Sequence, residues 1–237
     1  MSYYLAKGIV KYGKQFKTQL QNEPELAKQI EELIEESKRV DDDIDLEIIF
    51  ENKDFVKHLE DLKYKKVPHV FPNLLTLEEE AVLRYYTTNA GYKNLNRSLR
   101  GEIEMTKEFR VQERLMNKAL DKLPNYESSS LLYRIEYLSE SQIEKYYKIN
   151  EIVTNKHFTS SSYDPDAIGK AMRKRAYTVL IRIESKNGKL IEPISTLQIE
   201  KEVVFKSKTT FFVKDIKITT SPEDYVTPIK TIILKEL

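Results

Sequence analysis

Cysteine is absent from the 237-residue sequence, and its absence excludes disulfide bonds, thiolate catalysis and zinc sites with cysteine ligands. Histidine is scarce. Its three copies, His58, His69 and His157, lie far apart and show none of the HExxH-type spacing of a zinc enzyme. No run of about 18 apolar residues occurs, so we expect no membrane-spanning helix. The sequence therefore predicts a protein without a bound metal and without a membrane partner.

The amino terminus and the charge balance restrict the cellular setting. The opening stretch MSYYLAKGIVKYGKQF lacks the apolar core of a secretory signal peptide. We therefore expect a cytoplasmic protein, as encoded, that acts in another cell only if a secretion or phage system delivers it. The 39 basic and 38 acidic residues give a net charge of +1, which indicates no overall electrostatic attraction to nucleic acid or membrane. A composition of 40% hydrophobic and 32% charged residues is typical of a folded globular chain.

Residues 1–66 have the pattern of an N-terminal helical lobe. Apolar residues recur at three- and four-residue steps in two segments, 24–40 (Leu26, Ile30, Leu33 and Ile34) and 53–67 (Phe55, Leu59 and Leu62). One interpretation is a lobe with a charged, solvated outer face; the other is a lobe that docks a partner or selects the substrate. The proline-containing stretch VPHVFPN then predicts a joint, so we divide the chain into a lobe, residues 1–66, and a core, residues 67–237.

The core begins with helices and continues with strands. Thr76 and Glu79 form the pattern of a capping box before an apolar-periodic helix, and a second helix is predicted from Met105 to Leu123, ahead of Pro124. Strand patterns follow at residues 131–138, 157–164, 177–184, 198–205, 209–219 and 229–237. Helices followed by a run of strands predict an α+β fold with a largely antiparallel sheet or sandwich.

Two polar features interrupt the apolar pattern of the strand region. Arg134 lies in the otherwise apolar strand LLYRIEYL, where a guanidinium needs a partner. It either pairs with an acid such as Glu136 at a strand edge or binds a phosphate in a bidentate way. The second feature is Phe158 followed by Thr-Ser-Ser-Ser, which is either a serine-rich turn or a row of hydroxyls that hold a carboxylate or a ribose.

The stretch QIEKEVVF, residues 198–205, has two glutamates at the point where the strand becomes apolar. On a continuous strand, Glu200 and Glu202 share one face and Lys201 points to the other. A surface edge strand tolerates such a pair. A functional site also explains it, because neighbouring like charges raise the pKa of one member.

Arginine, a serine-rich strand and Glu-x-Glu, in that order, resemble the Arg-Ser-Glu class of mono-ADP-ribosyltransferases. In that family a strand arginine precedes an aromatic-x-Ser-x-Ser element, matched here by Phe158, Ser160 and Ser162, and then a Glu-x-Glu before an apolar strand. Residues 75–101 are also similar to the family's first core helix, with matches at Tyr86, Thr87, Tyr92, Asn96, Leu99 and Arg100. The resemblance covers roughly residues 70–237 and implies the ADP-ribosyltransferase fold, an antiparallel β-sandwich core with a cleft for NAD.

The resemblance implies roles for the residues of the NAD half of the site. Glu202 is expected to hold the ribose 2′-hydroxyl and stabilise the oxocarbenium charge, and Ser160 to fix the Glu202 carboxylate. Arg134 is expected to bind the phosphates or the adjacent ribose. Further contacts to NAD are expected from Arg100, Asn96, Ser162 and the main chain at Ile135, where the family often has glycine. NAD serves as the substrate, and no metal is involved.

The resemblance assigns Glu200 to the acceptor, because family members with glutamate at this position tend to modify arginine. We therefore expect transfer of ADP-ribose from NAD to an arginine of a target protein. The loop 191–198 would present the acceptor, and the charged residues 163–175 would close over the cofactor. Three alternatives remain: an NAD glycohydrolase with water as acceptor, an enzyme that modifies nucleic acid, for which the basic run at 172–177 is weak support, and an inactive binding module that kept the scaffold.

Overall fold

A computed structural model describes residues 45–127, 131–172 and 179–237. The chain divides into two compact units, Met1–Leu46 and Glu47–Leu237, and nearly all described residues belong to the second unit. The helix predicted within residues 24–40 and nearly all of the basic run 172–177 lie outside the described residues. The predicted division between a lobe, residues 1–66, and a catalytic core stays a prediction.

Seven α-helices lie in the described part of the chain: α1 (Leu46–Phe50), α2 (Lys53–Lys63), α3 (Leu77–Tyr86), α4 (Asn89–Arg100), α5 (Lys107–Lys122), α6 (Glu140–Tyr146) and α7 (Pro165–Met172). The capping box predicted at Thr76 is present, with the Glu79 N–H donating to Thr76 Oγ1 and the Thr76 N–H donating to Glu79 Oε2. Thr106 caps α5, so Met105 precedes this helix rather than starting it. None of the helices formed by the described residues has the length and apolar character needed to cross a membrane.

The stretch 75–101 forms two helices, α3 and α4, rather than one. Thr87 ends α3, and the Thr88 side chain caps α4 by accepting a hydrogen bond from the Gly91 N–H at 3.2 Å. Gly91 allows a close approach here, since a Cβ at this position would lie 2.0 Å from the Tyr85 carbonyl oxygen. The result is a tight corner that brings the start of α4 against the end of α3.

Eight strands form a mostly antiparallel sheet in the described residues: β1 (Leu132–Glu136), β2 (Ile152–Asn155), β3 (Thr159–Ser162), β4 (Val179–Glu184), β5 (Lys189–Leu190), β6 (Glu202–Phe205), β7 (Thr209–Thr220) and β8 (Pro228–Glu236). Their order across the sheet is β2-β7-β8-β4-β1-β3-β6-β5, and only β4 and β8 pair in parallel. The α+β class predicted from the sequence is confirmed. Six of the strands overlap predicted segments, whereas β2 and β5 have no counterpart among them; β5 has only two residues.

The sheet curls until its two ends face one another. Phe205 in β6 and Phe211 in β7 have four strands between them in the sheet order, yet their rings meet edge to face with centroids 5.3 Å apart. Both belong to one buried apolar cluster that also contains Leu132, Val203 and Ile232. A sheet whose ends pack through a shared apolar core has the layered arrangement of a sandwich, as the strand pattern predicted.

QIEKEVVF is only half a strand. Its first residues form a 3₁₀ turn that ends at Glu200, Lys201 adopts a left-handed conformation with a φ of 53°, and β6 begins at Glu202. The prediction that Glu200 and Glu202 share a strand face is therefore wrong. The neighbouring strands explain the break: β3 ends at Ser162 opposite Glu202, and β5 ends opposite Val203, so neither extends far enough to pair with Glu200.

Candidate active site

Glu202 and Ser160 form the centre of the site. β3 and β6 pair with Ser162 opposite Glu202 and Ser160 opposite Val204, so the side chains of Ser160 and Glu202 lie on the same face of the sheet. The Ser160 hydroxyl donates a hydrogen bond to Glu202 Oε1 at 2.5 Å. This bond fixes the orientation of the Glu202 carboxylate, which is only 5% exposed.

The second carboxylate oxygen, Glu202 Oε2, is buried and has no hydrogen-bond partner among the described residues. Burial is the main cause that raises the pKa of Glu202 to about 7; the Ser160 hydrogen bond lowers it, the charge of Glu200 raises it and the charge of Arg134 lowers it. An unsatisfied buried oxygen is costly in a folded protein. An unpaired oxygen on a carboxyl group of raised pKa therefore points to a ligand that supplies a hydroxyl donor.

Arg134 lies where β1 and β3 separate. The two strands meet at a single pair, Tyr133 opposite Ser162, and two residues away along β3 the Ser160 carbonyl accepts a hydrogen bond from Arg134 Nη1 at 2.8 Å. Arg134 Nε also donates to Glu136 Oε1 at 2.6 Å, so the pairing considered from the sequence is present. The Arg134 side chain as a whole is 22% exposed, and its guanidinium contacts the strand of Ser160.

His157 belongs to the same region and was not singled out from the sequence. Burial and the positive charges of Arg134 and Arg100 lower the pKa of His157 to about 3, so its imidazole is neutral at physiological pH. Arg100, at the end of α4, donates to Glu102 Oε1 at 2.5 Å and stays partly exposed. Two guanidinium groups that act on one place favour an anion such as a pyrophosphate. The only sequence signal for His157 is its position directly before Phe158.

Asn96 is engaged with neighbouring protein groups. Its Oδ1 accepts a hydrogen bond from the Phe158 N–H at 3.2 Å, and its Nδ2 donates to the Tyr86 hydroxyl at 3.2 Å. Asn96 thereby fixes the residue that leads into β3 and Ser160. Tyr86 is buried beside the site, and burial together with the charge of Glu202 raises its pKa. A direct contact between Asn96 and NAD stays a prediction.

Ser162 and Ile135 make contacts that shape the surroundings of the site. The Ser162 hydroxyl donates to the Asp164 carbonyl at 3.2 Å and accepts from the Asp164 N–H at 3.1 Å, which forms the turn into α7. Ile135 packs against Met172 and Leu180 in a small apolar cluster. The predicted contacts of Ser162 and of the Ile135 main chain with NAD stay predictions.

Glu200 lies on an exposed turn immediately before β6. Partial desolvation of its carboxyl raises its pKa, and its charge contributes to the raised pKa of Glu202, so the two carboxyl groups lie within electrostatic reach. The turn is anchored to the end of α3, because the Thr196 N–H donates to Thr87 Oγ1 at 3.0 Å and the two threonine hydroxyls lie 2.9 Å apart. The neighbouring Ile199 is 67% exposed, so Glu200 is presented at an accessible surface.

Two kinds of interaction bring the predicted site residues together: hydrogen bonds and the effect of one charge on another. Hydrogen bonds connect Glu202, Ser160 and Arg134, the charge of Glu200 acts on Glu202, and the charge of Arg100 acts on the neighbouring His157. Within the part of the chain that the structure describes, no group of three or more histidine, aspartate or glutamate side chains is placed to hold a metal ion.

Comparison with protein families gives a match over most of the chain: the sequence model of the ADP-ribosyltransferase exoenzyme family matches residues 51–236. The chain is 32% identical over 140 residues to Mav of Mycobacterium avium, whose name proposes an NAD(+)–arginine ADP-ribosyltransferase. It is 31% identical over 138 residues to Tre1 of Serratia proteamaculans, named as an NAD(+)–protein-arginine ADP-ribosyltransferase. These matches cover 59% and 58% of this chain, but the chain spans only 16% of the length of Mav and 29% of that of Tre1.

Several solved structures share the fold. XopAI, a type III effector of Xanthomonas axonopodis pv. citri, matches with a TM-score of 0.61 at 19% identity over 98% of this chain and 99% of the XopAI chain. Exoenzyme S of Pseudomonas aeruginosa, solved with human 14-3-3 protein beta and carba-NAD, matches with a TM-score of 0.60 at 16% identity over 80% and 86% of the two chains. Vis, an ADP-ribosyltransferase of Vibrio splendidus solved with agmatine, matches with a TM-score of 0.55 at 22% identity over 78% and 86%. These similarities show the fold of ADP-ribosyltransferases.

Proposed function

Because the chain belongs to the ADP-ribosyltransferase exoenzyme family, we propose that it cleaves NAD and transfers ADP-ribose to an arginine of a target protein. The names of Mav and Tre1 support an arginine acceptor, and so does the agmatine bound to Vis, since agmatine presents a guanidino group. The observation that carries the proposal is the buried Glu202 carboxylate, which Ser160 holds through one oxygen and whose other oxygen has no protein partner among the described residues.

In the first step, the bond between the ribose C1′ and the nicotinamide nitrogen breaks. The bonding electrons leave with nicotinamide, which departs as a neutral molecule, and positive charge develops on the ribose. Glu202 Oε2 accepts a hydrogen bond from the ribose 2′-hydroxyl, and the buried negative charge stabilises the oxocarbenium-like transition state. Ser160 prevents rotation of the carboxylate during this step by holding its other oxygen.

The phosphates of NAD are assigned to the arginine side of the site. Arg134 is partly exposed next to Ser160, and Arg100 acts on the same place, as the lowered pKa of His157 indicates. Guanidinium groups match phosphate oxygens in geometry and charge. Neutral His157 has one N–H to donate to the same anion. The proposed contacts to NAD are completed by Asn96, Ser162 and the main chain of Ile135.

In the second step, a guanidino nitrogen attacks the ribose C1′ and loses a proton. Glu200 accepts that proton and orients the guanidinium, because its carboxylate lies on the exposed turn next to Glu202. The partners in this proposal are NAD and a protein with an accessible arginine, and the catalytic core comprises residues 67–237. We further propose that the protein acts in a cell into which it is delivered, by analogy with the type III effector XopAI.

Incubation of the purified protein with labelled NAD and agmatine tests the function. We expect nicotinamide release together with ADP-ribosylated agmatine; in a lysate, mass spectrometry should find ADP-ribose on arginine, in a linkage that hydroxylamine cleaves. Nicotinamide release without a modified acceptor would identify an NAD glycohydrolase instead. Label on RNA or DNA would identify a nucleic-acid-modifying enzyme, and a lack of NAD binding in calorimetry would identify an inactive binding module.

The rate of NAD cleavage should follow the ionisation of Glu202, because only the carboxylate stabilises the ribose cation. The pKa of about 7 places the midpoint of the profile near neutral pH. Below that midpoint, kcat/KM for NAD should fall about tenfold per pH unit, and above it the value should level off. The measurement is acceptor-free nicotinamide release across the neutral range.

Ser160→Ala provides the matched variant for this profile. The serine hydrogen bond lowers the pKa of Glu202, so its loss should move the midpoint to higher pH as well as lower the plateau. A wild-type profile that stays flat through pH 7, or a variant midpoint that does not rise, would contradict the assignment of Glu202 as the titrating group.

A further inference from the structure

The acceptor loop, residues 192–201, is closed at its base by an ion pair. Lys201 Nζ lies 2.6 Å from Glu192 Oε1, so side chains from the two ends of the loop are joined. Next to this pair, the Ile191 N–H donates to the Glu202 carbonyl at 3.1 Å. The base of the loop is therefore held by one side-chain contact and one main-chain contact.

The second oxygen of Glu192 is also bound. The Tyr163 hydroxyl donates to Glu192 Oε2 at 2.6 Å, and the Tyr163 ring stacks on Tyr126 with centroids 5.6 Å apart. The Tyr163 N–H donates to the Lys201 carbonyl at 3.2 Å. Burial acts to raise the pKa of Glu192, but the hydrogen bonds from Lys201 and Tyr163 outweigh it and lower that pKa, so Glu192 is ionised. One carboxylate thus connects the acceptor loop to the residue that directly follows β3.

The backbone conformation of Lys201 gives this connection its importance. Its φ of 53° lies in the left-handed region, which is unfavourable for a residue with a Cβ. Lys201 is also the single residue between the turn of Glu200 and the strand of Glu202, so its conformation sets the direction in which Glu200 leaves β6. If Lys201 adopted an extended conformation instead, Glu200 would move away from its present position. Glu202 would stay in place, because its pairing with β3 holds it in β6.

We propose that Glu192 is a positioning residue for the acceptor step. Through Lys201 and Tyr163 it holds the acceptor loop so that Glu200 faces the point of attack. It thereby sets how much of the cleaved ADP-ribose passes to a guanidino acceptor rather than to water. The inference rests on the proposed transferase function, and it predicts that NAD cleavage itself is independent of Glu192.

Glu192→Gln tests this inference, because it keeps the size of the side chain and removes its charge. Two rates are measured on the same protein: transfer to agmatine, and nicotinamide release without an acceptor. The kcat for transfer should fall roughly tenfold, while acceptor-free release and the KM for NAD should change less than about twofold, since only the acceptor geometry is disturbed. Tyr163→Phe removes a single hydroxyl and should act in the same direction by a smaller factor. Lys201→Arg keeps the ion pair and should retain most of the transfer activity.

Glu184→Gln serves as a matched control. It breaks a comparable ion pair, in which Lys214 Nζ lies 2.5 Å from Glu184 Oε1, outside the acceptor loop, and it should leave both rates unchanged. If Glu192→Gln and Tyr163→Phe lower both reactions in parallel, or change neither, the positioning role is overturned. A wild-type protein that cleaves NAD but never modifies agmatine would instead overturn the transferase function, and this inference with it.

Discussion

Glu202→Gln is expected to abolish NAD cleavage, lowering both transfer and acceptor-free nicotinamide release by about 10³-fold. The amide keeps the shape of the side chain and its contact with Ser160, but it lacks the negative charge that stabilises the ribose cation. The measurement is nicotinamide release at saturating NAD and at a pH above 7, where Glu202 of the wild type is ionised. Persistence of NAD turnover in this variant would show that another group stabilises the transition state.

The same variant has a second readout in its stability. Between pH 4.5 and 7, the folded wild type keeps a proton on Glu202 that the unfolded chain has released, so its free energy of unfolding falls as the pH rises. Above pH 7 this loss amounts to about 3 kcal/mol, and glutamine, which does not titrate, avoids it. Urea unfolding should therefore find Glu202→Gln more stable than the wild type above pH 7 and not below pH 4.5. Glu151→Gln, at an exposed position, is the control for the removal of one carboxylate.

Glu200→Gln is expected to lower the rate of transfer to guanidino acceptors by at least about 10²-fold, while the rate of NAD hydrolysis stays within a few-fold of the wild type. The variant lacks the base for the acceptor proton, but Glu202, Ser160 and Arg134 keep their mutual contacts. Transfer to agmatine and acceptor-free nicotinamide release, measured side by side, separate the two effects.

The pH profile of this variant adds an independent check. The charge of Glu200 raises the pKa of Glu202, so its removal should move the midpoint of acceptor-free NAD cleavage to lower pH. An equal loss of both reactions would assign Glu200 to NAD cleavage instead of the acceptor. Glu151→Gln again serves as the control, because it removes one exposed carboxylate away from both steps.

The core of the site follows from local sequence patterns. Consecutive hydroxyls after Phe158 and two glutamates at the start of an apolar strand are unusual patterns, and their order after a strand arginine carries the resemblance that assigns Ser160 and Glu202. Arg134 was conspicuous for a similar reason, because a charged residue in an apolar strand requires partners, which it finds in Glu136 and the Ser160 carbonyl. Desolvation cost therefore singles out Arg134 in the sequence, whereas the roles of Ser160 and Glu202 follow from the family resemblance, and the contact between them is seen only in the structure.

The arrangement around Glu200 depends on long-range structure and could not be read in the same way. Lys201 has a positive φ without the glycine or asparagine that usually marks one, and the break in the strand is caused by where β3 and β5 end. His157 and Asn96 pose the same difficulty. Asn96 binds the main chain of Phe158, 62 positions further along the chain, and the pKa of His157 is lowered by burial and by two arginines from different elements.

The contact between Phe205 and Phe211 also bears on the order in which the chain folds. Residues 206–208 alone connect β6 to β7, although these strands stand far apart in the sheet order. Closing so short a connection costs little chain entropy, whereas the parallel pairing of Ile181 with Ile232 must join distant parts of the chain. We expect the facing ends of the sheet to meet early and the β4–β8 pairing in its middle to form late.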